Sequence, residues 1–103
     1  MTTKDLKLEL KPLGSILDCR VFLETHDEIG LWVYNTEGKY FYKNLPNYPI
    51  DGTSLEVTMI AKGKNGASTK LTIKIKGQPD ETLTCLIKEG SDIEQKSIII
   101  SNI

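Results

Sequence analysis

Apolar side chains recur at every second position along most of the chain. Leu6, Leu8 and Leu10 alternate with Lys7, Glu9 and Lys11. The same rule runs through Leu17, Cys19, Val21 and Leu23, then Leu31 and Val33, then Leu55, Val57, Met59 and Ala61. It continues through Leu71, Ile73 and Ile75, Leu83, Cys85 and Ile87, and Ile98 and Ile100. A period of two sends one set of side chains to one face of a sheet, which is the pattern of half-buried strands. No window of eleven residues carries the stripe of an amphipathic helix.

Turn residues separate these runs. Pro12-Leu13-Gly14 parts the first two, and Asn35-Thr36-Glu37-Gly38 the third and fourth. Pro46, Asn47, Pro49, Asp51 and Gly52 read as a longer connection. Asn65-Gly66 is a tight-turn pair, because both residues tolerate positive φ. Gly77-Gln78-Pro79-Asp80 and Glu89-Gly90-Ser91-Asp92 close the last two connections. The spacing predicts eight short strands in one domain over residues 1–103. Strands with one apolar face bury it when two sheets pack together, so the expected fold is an all-β antiparallel sandwich.

Composition narrows the functional classes. The 13 basic residues nearly balance the 14 acidic ones, for a net charge of −1. A dedicated nucleic-acid binder carries a marked basic excess, so none is expected here. Arg20 is the only arginine, which disfavours bidentate phosphate recognition as the main task. The longest stretch without a charge runs from Ile29 to Thr36, far short of the ~18 residues of a spanning helix. No membrane insertion is expected. The N-terminus alternates charge and leucine and does not read as a signal peptide. The location is thus left open between the cytoplasm, export by another route, and a chain whose leader has been removed.

Two local patterns carry a resemblance. Cys19, Trp32 and Cys85 follow the order of cysteine, tryptophan and cysteine in immunoglobulin domains, although Leu83 stands where that family places a tyrosine. The resemblance implies an immunoglobulin-like sandwich with Trp32 packed against the cysteines. The segment Gly38-Lys39-Tyr40-Phe41-Tyr42-Lys43-Asn44-Leu45-Pro46 is similar to one in the collagen-adhesin B-type repeats of bacterial surfaces. Those repeats often hold an intramolecular Lys–Asn isopeptide bond, and Lys7 and Asn102 occupy the corresponding ends of this chain. The acidic partner usually found after that segment is not evident.

Candidate chemistry is sparse. His26, the only histidine, sits in a polar stretch that reads as a loop, with no motif for a nucleophile beside it. Cys19 and Cys85 read either as an inter-sheet disulfide or as two small buried hydrophobes. They cannot fill a four-ligand zinc site with a single histidine. Asp27, Glu28, Asp51, Asp80, Glu81, Asp92 and Glu94 read as a solvated rim, with loop calcium as the competing reading. No cofactor is implied. Lys70, Lys74 and Lys76 read as protection of an edge strand, or as a dock for a polyanion.

The aromatic residues are more telling. Six of the seven fall between Trp32 and Tyr48. Pairing Tyr34 with Tyr40 across the Asn35–Lys39 turn sets Trp32 opposite Tyr42. Trp32, Tyr34, Tyr40 and Tyr42 then share one face, beside Asn35 and Asn44. If Leu31, Val33 and Phe41 face the core, the four rings form an outward patch suited to stacking on sugars or to a protein hot spot. With the opposite parity, Trp32 and Tyr34 lie in the core and the patch is lost. The expected function is a non-enzymatic recognition module that binds a carbohydrate or glycoconjugate, lectin- or adhesin-like, through this hairpin. The alternative is a protein-assembly module, motivated by apolar Ile60, Leu86 and Ile99 on the polar parity, forming a homo-oligomer or part of a larger complex.

Overall fold

The computed structural model describes residues 2–24, 26–27, 32–50 and 52–103. Among these, the strands are β1 (Thr2–Leu13), β2 (Ile16–Leu23), β3 (His26–Asp27), β4 (Val33–Asn35), β5 (Tyr40–Ile50), β6 (Ser54–Gly63), β7 (Ser68–Ile75), β8 (Glu81–Leu86) and β9 (Ile93–Ser101). They form two antiparallel sheets, ordered β4-β5-β1-β7-β8 and β3-β2-β6-β9. The chain is thus an all-β sandwich, as the alternation predicts. The ninth strand is β3, which pairs His26 with Leu23, so His26 lies in a two-residue strand and not in a loop.

The apolar faces meet as the period of two requires. Leu6, Leu8, Leu10, Leu71, Ile73, Ile75, Leu83 and Cys85 bury from the five-stranded sheet. Val21, Leu23, Leu55, Val57, Met59, Ala61 and Ile100 bury from the other. Fully burying a Leu, Ile or Met side chain stabilises a fold by about 1.5–3 kcal/mol, so this shared core holds the sheets face to face. Among the described strands the chain changes sheet five times, from β1 to β2, β3 to β4, β5 to β6, β6 to β7 and β8 to β9. β1 pairs with β5 and β7, whereas an immunoglobulin domain joins its first two strands in one sheet.

Two irregularities depart from the simple pattern. Between Ile16 and Asp18 the β2–β6 register shifts, with two steps on β2 opposite one on β6. Leu17 is the extra residue of this bulge and turns outward, while Ile16 packs on the core in its place. The second lies where a long connection was expected, because β5 continues through Pro46, Asn47 and Pro49 to Ile50. Three steps from Leu45 to Tyr48 oppose two from Leu6 to Lys4. Asn47 takes a left-handed φ of 53°, and its N–H donates to Asp5 Oδ1 at 2.9 Å. Beyond Tyr42, β5 pairs only with β1 among the described strands, an edge that tolerates proline.

Candidate functional site

The hairpin of β4 and β5 places the aromatic residues, and its register decides which face each ring takes. The pairs are Val33 with Tyr42, Tyr34 with Phe41, and Asn35 with Tyr40. The turn therefore spans residues 36–39, one fewer than the expected pairing of Tyr34 with Tyr40 requires. Asn35 is the physical cause. Its Oδ1 accepts the Gly38 N–H at 2.8 Å, and its Nδ2 donates to the Tyr40 hydroxyl at 3.4 Å. Lys39 closes the turn with a φ of 56°. A Cβ at Gly38 would overlap the Tyr40 ring, so glycine is needed there on space alone.

A shift of one step sends Tyr34 to the face opposite Tyr40 and Tyr42. Phe41 lies across from buried Leu10 and therefore faces the other sheet. Tyr34 stacks on it, with ring centroids 4.8 Å apart and planes tilted by 56°. Tyr40 and Tyr42 sit on the outer face, 6.2 Å apart. The expected four-ring patch is thus divided between two faces. Trp32 precedes β4 and is half-buried against the core on the same inner side as Tyr34, the opposite parity of those expected, although Tyr34 is not buried. Val33 faces outward, and Leu31 lies outside the described residues.

The outer face is occupied by charge. Lys7 Nζ lies 5.1 Å from the Tyr42 ring centroid and 3.3 Å from Glu9. Glu9 also approaches Lys74 at 3.9 Å, and Lys74 reaches Asp80 at 3.3 Å. The Asp80 hydrogen bond, with the Glu9 charge behind it, raises the Lys74 pKa. Asn44 is exposed opposite Lys7. The lysines of β7 do not guard an edge, because β7 lies between β1 and β8. Lys7 and Asn102 are not brought together. Lys7 stands on the outside of the five-stranded sheet, and Asn102 is exposed just past β9 in the other sheet.

The inner side of the hairpin opens into a cleft of about 460 Å³ between the two sheets. Leu10, Ile16, Val21, Trp32 and Phe41 supply apolar walls, with bulged Leu17 at the rim. Phe41, 36% exposed, borders the opening, and the 47% exposed Tyr34 packs against its ring. Asp18 and Arg20 supply its polar side. Arg20 is held by Asp27 at 3.2 Å and by Asp18 at 3.7 Å. Deep in the cleft, Thr69 is fully buried. Its hydroxyl has no hydrogen-bond partner of full geometry among the described residues, although it lies near enough to the Cys19 thiol to lower that group's pKa.

Both cysteines are free thiols, and no disulfide joins the sheets. Burial first, then the neighbouring Cys85 and Asp18, push the Cys19 thiol up to about 12. Burial also raises Cys85, whose Sγ contacts the Met59 and Glu94 carbonyls. Thiols held protonated at neutral pH are weak nucleophiles and weak metal ligands. Among the described residues no group of three His, Cys, Asp or Glu side chains is placed to hold a metal ion. Glu28 and Asp51 of the expected acidic rim lie outside the described residues.

Of the residues singled out from the sequence, Trp32 and Cys19 line the cleft, Tyr34 packs on Phe41 beside it, and Asn35 shapes the turn. Tyr40, Tyr42 and Asn44 face away from it. Leu17, Arg20, Phe41 and Thr69 complete the cleft. Only Phe41 carried a sequence signal, as part of the aromatic cluster. Comparison with family models, curated proteins and solved structures found no match. Among the described residues, no helix is long and apolar enough to cross a membrane.

Proposed function

We propose that this chain is a non-catalytic recognition module that binds a carbohydrate or glycoconjugate at the rim of the inter-sheet cleft. The observation that carries this reading is the cleft itself, lined by Trp32 and the exposed Phe41, with the exposed Tyr34 packed on Phe41 beside it. Its volume falls within the roughly 300–1,000 Å³ usual for ligand pockets. Sugar rings present apolar C–H faces that stack on aromatic rings, and hydroxyls that need donors and acceptors. Asp18 and Arg20 supply those groups on the facing sheet. Burial keeps both thiols protonated, which offers no activated nucleophile beside the cleft.

The test is a screen of immobilised glycans with the wild-type chain, followed by single alanine substitutions. Tyr34→Ala should abolish binding to any glycan recovered, because the exposed stacking surface is lost. Tyr42→Ala should leave it intact, because that ring lies on the other face. Binding that survives Tyr34→Ala, or that is lost only in Tyr42→Ala, contradicts the reading. So does the absence of any glycan ligand.

A further inference from the structure

Away from the cleft, an open edge runs along β9. Among the described strands it pairs only with β6. The Gly63 N–H bonds to the Asp92 carbonyl, and the Glu24 N–H to the Glu56 carbonyl. These two bonds set the alternation of the ladders. Odd-numbered residues of β6 direct their backbone groups to β9, and even-numbered residues direct theirs to β2. The β9 residues opposite the odd set are Glu94, Lys96, Ile98 and Ile100. The N–H and C=O groups of Gln95, Ser97 and Ile99 therefore point away from the sheet. The Ile93 carbonyl points the same way and is taken by the Ser91 hydroxyl.

An open edge of this length is a template for another strand. The side chains beside it are self-complementary. Glu94 and Lys96 flank Gln95. We propose that a second copy of this chain pairs antiparallel along β9, with Gln95 on the two-fold axis. Each Glu94 then faces Lys96 of the second copy, and the reciprocal pair repeats the contact. Moving the two-fold axis by one residue in either direction, a register shift of two, sets Glu94 against Glu94 or Lys96 against Lys96, so charge selects the register. Cross-strand opposite charges stabilise such pairs and like charges oppose them. In the same register Ile93 and Ile99 of the second copy become diagonal neighbours on the outer face. These residues are 51% and 63% exposed in the single chain, and dimerisation covers them. Two four-stranded sheets then join into one, and the clefts remain outside the interface.

Sedimentation equilibrium of the whole chain from micromolar to millimolar concentration tests this inference. Wild type should show reversible dimers. Lys96→Glu should weaken them about tenfold or more, because two attractive pairs become repulsive. The double variant Glu94→Lys/Lys96→Glu should restore them to within about threefold of wild type. Gln95→Pro removes an N–H that faces outward, so it should abolish dimers without touching the β6 ladder. Circular dichroism checks that each variant is folded. A wild-type chain that stays monomeric throughout overturns the proposal and leaves the edge to a foreign strand. Dimers indifferent to both Lys96→Glu and the charge swap overturn it as well.

Discussion

Thr69→Val should stabilise the fold. Thr69 lies in β7 between Pro12 of β1 and Cys85 of β8. It is fully buried, and its hydroxyl oxygen has no hydrogen-bond partner of full geometry among the described residues. Burying an unsatisfied hydroxyl costs about 1–3 kcal/mol by protein mutational data. The Cys19 thiol recovers part of this, being the polar group that senses the hydroxyl. A gain of about 1 kcal/mol is therefore expected when a methyl group replaces the oxygen. Valine has the same branching, leaves no cavity and suits a strand. Urea unfolding followed by far-UV circular dichroism reads the change as a higher midpoint at constant slope. In a thermal scan it is a rise of about 4–8 °C. Thr69→Ala is the control, since it removes the methyl as well and should destabilise. A Thr69→Val protein less stable than wild type by about 1 kcal/mol or more would refute the reasoning, because the hydroxyl must then be satisfied.

Other substitutions test the elements that frame the cleft. A Cβ at Gly63 would lie 2.6 Å from the Ser15 carbonyl oxygen, which also accepts the Lys64 N–H. Gly63→Ala should therefore lower stability by about 1–3 kcal/mol in urea unfolding; a neutral result would mean that the start of β2 moves freely. Asn35→Ala removes both side-chain bonds that shape the turn and should cost about 1–2 kcal/mol. It should also alter the near-UV dichroism of Tyr34 and Tyr40, and an unchanged spectrum would count against the register described. Burial holds the Cys19 thiol at about 12 against an ordinary 9.0, so the folded chain keeps a proton that the unfolded chain releases. Stability should be full below pH 9 and fall as pH rises from 9 toward 12. Cys19→Ala should make that fall shallower in unfolding measured from pH 7 to pH 10.5, and an identical slope would contradict the assignment.

The fold was legible because a period of two is a direct consequence of strand geometry. The inward set Leu55, Val57, Met59 and Ala61 follows it without exception. The site was less legible, because bulges and turns break that period through contacts between distant residues. Leu17 alternates with Cys19 in the sequence, yet the two-for-one step opposite β6 turns it out to the cleft rim. The hairpin register depended on a side chain: Asn35 bonds Gly38 and shortens the turn by one residue. That one step moved Tyr34 to the inner face with Phe41 and left Tyr40 and Tyr42 outside. Prolines inside β5 resembled a loop, because nothing local shows that β1 alone pairs with that part of the strand. Thr69 carried no signal at all, since its importance lies in what it fails to contact.

The central claim is that ligand recognition occurs at the inner rim of the aromatic hairpin. The most direct measurement is a titration of the isotopically labelled chain with a panel of oligosaccharides, followed by two-dimensional amide and indole NMR. The expected shifts fall on residues 17–21, on the Trp32 indole and on the hairpin from Tyr34 to Phe41. They should be absent from Lys7, Glu9 and Lys74 on the outer face. Shifts centred on that outer face, or no shift with any member of the panel, would contradict the account.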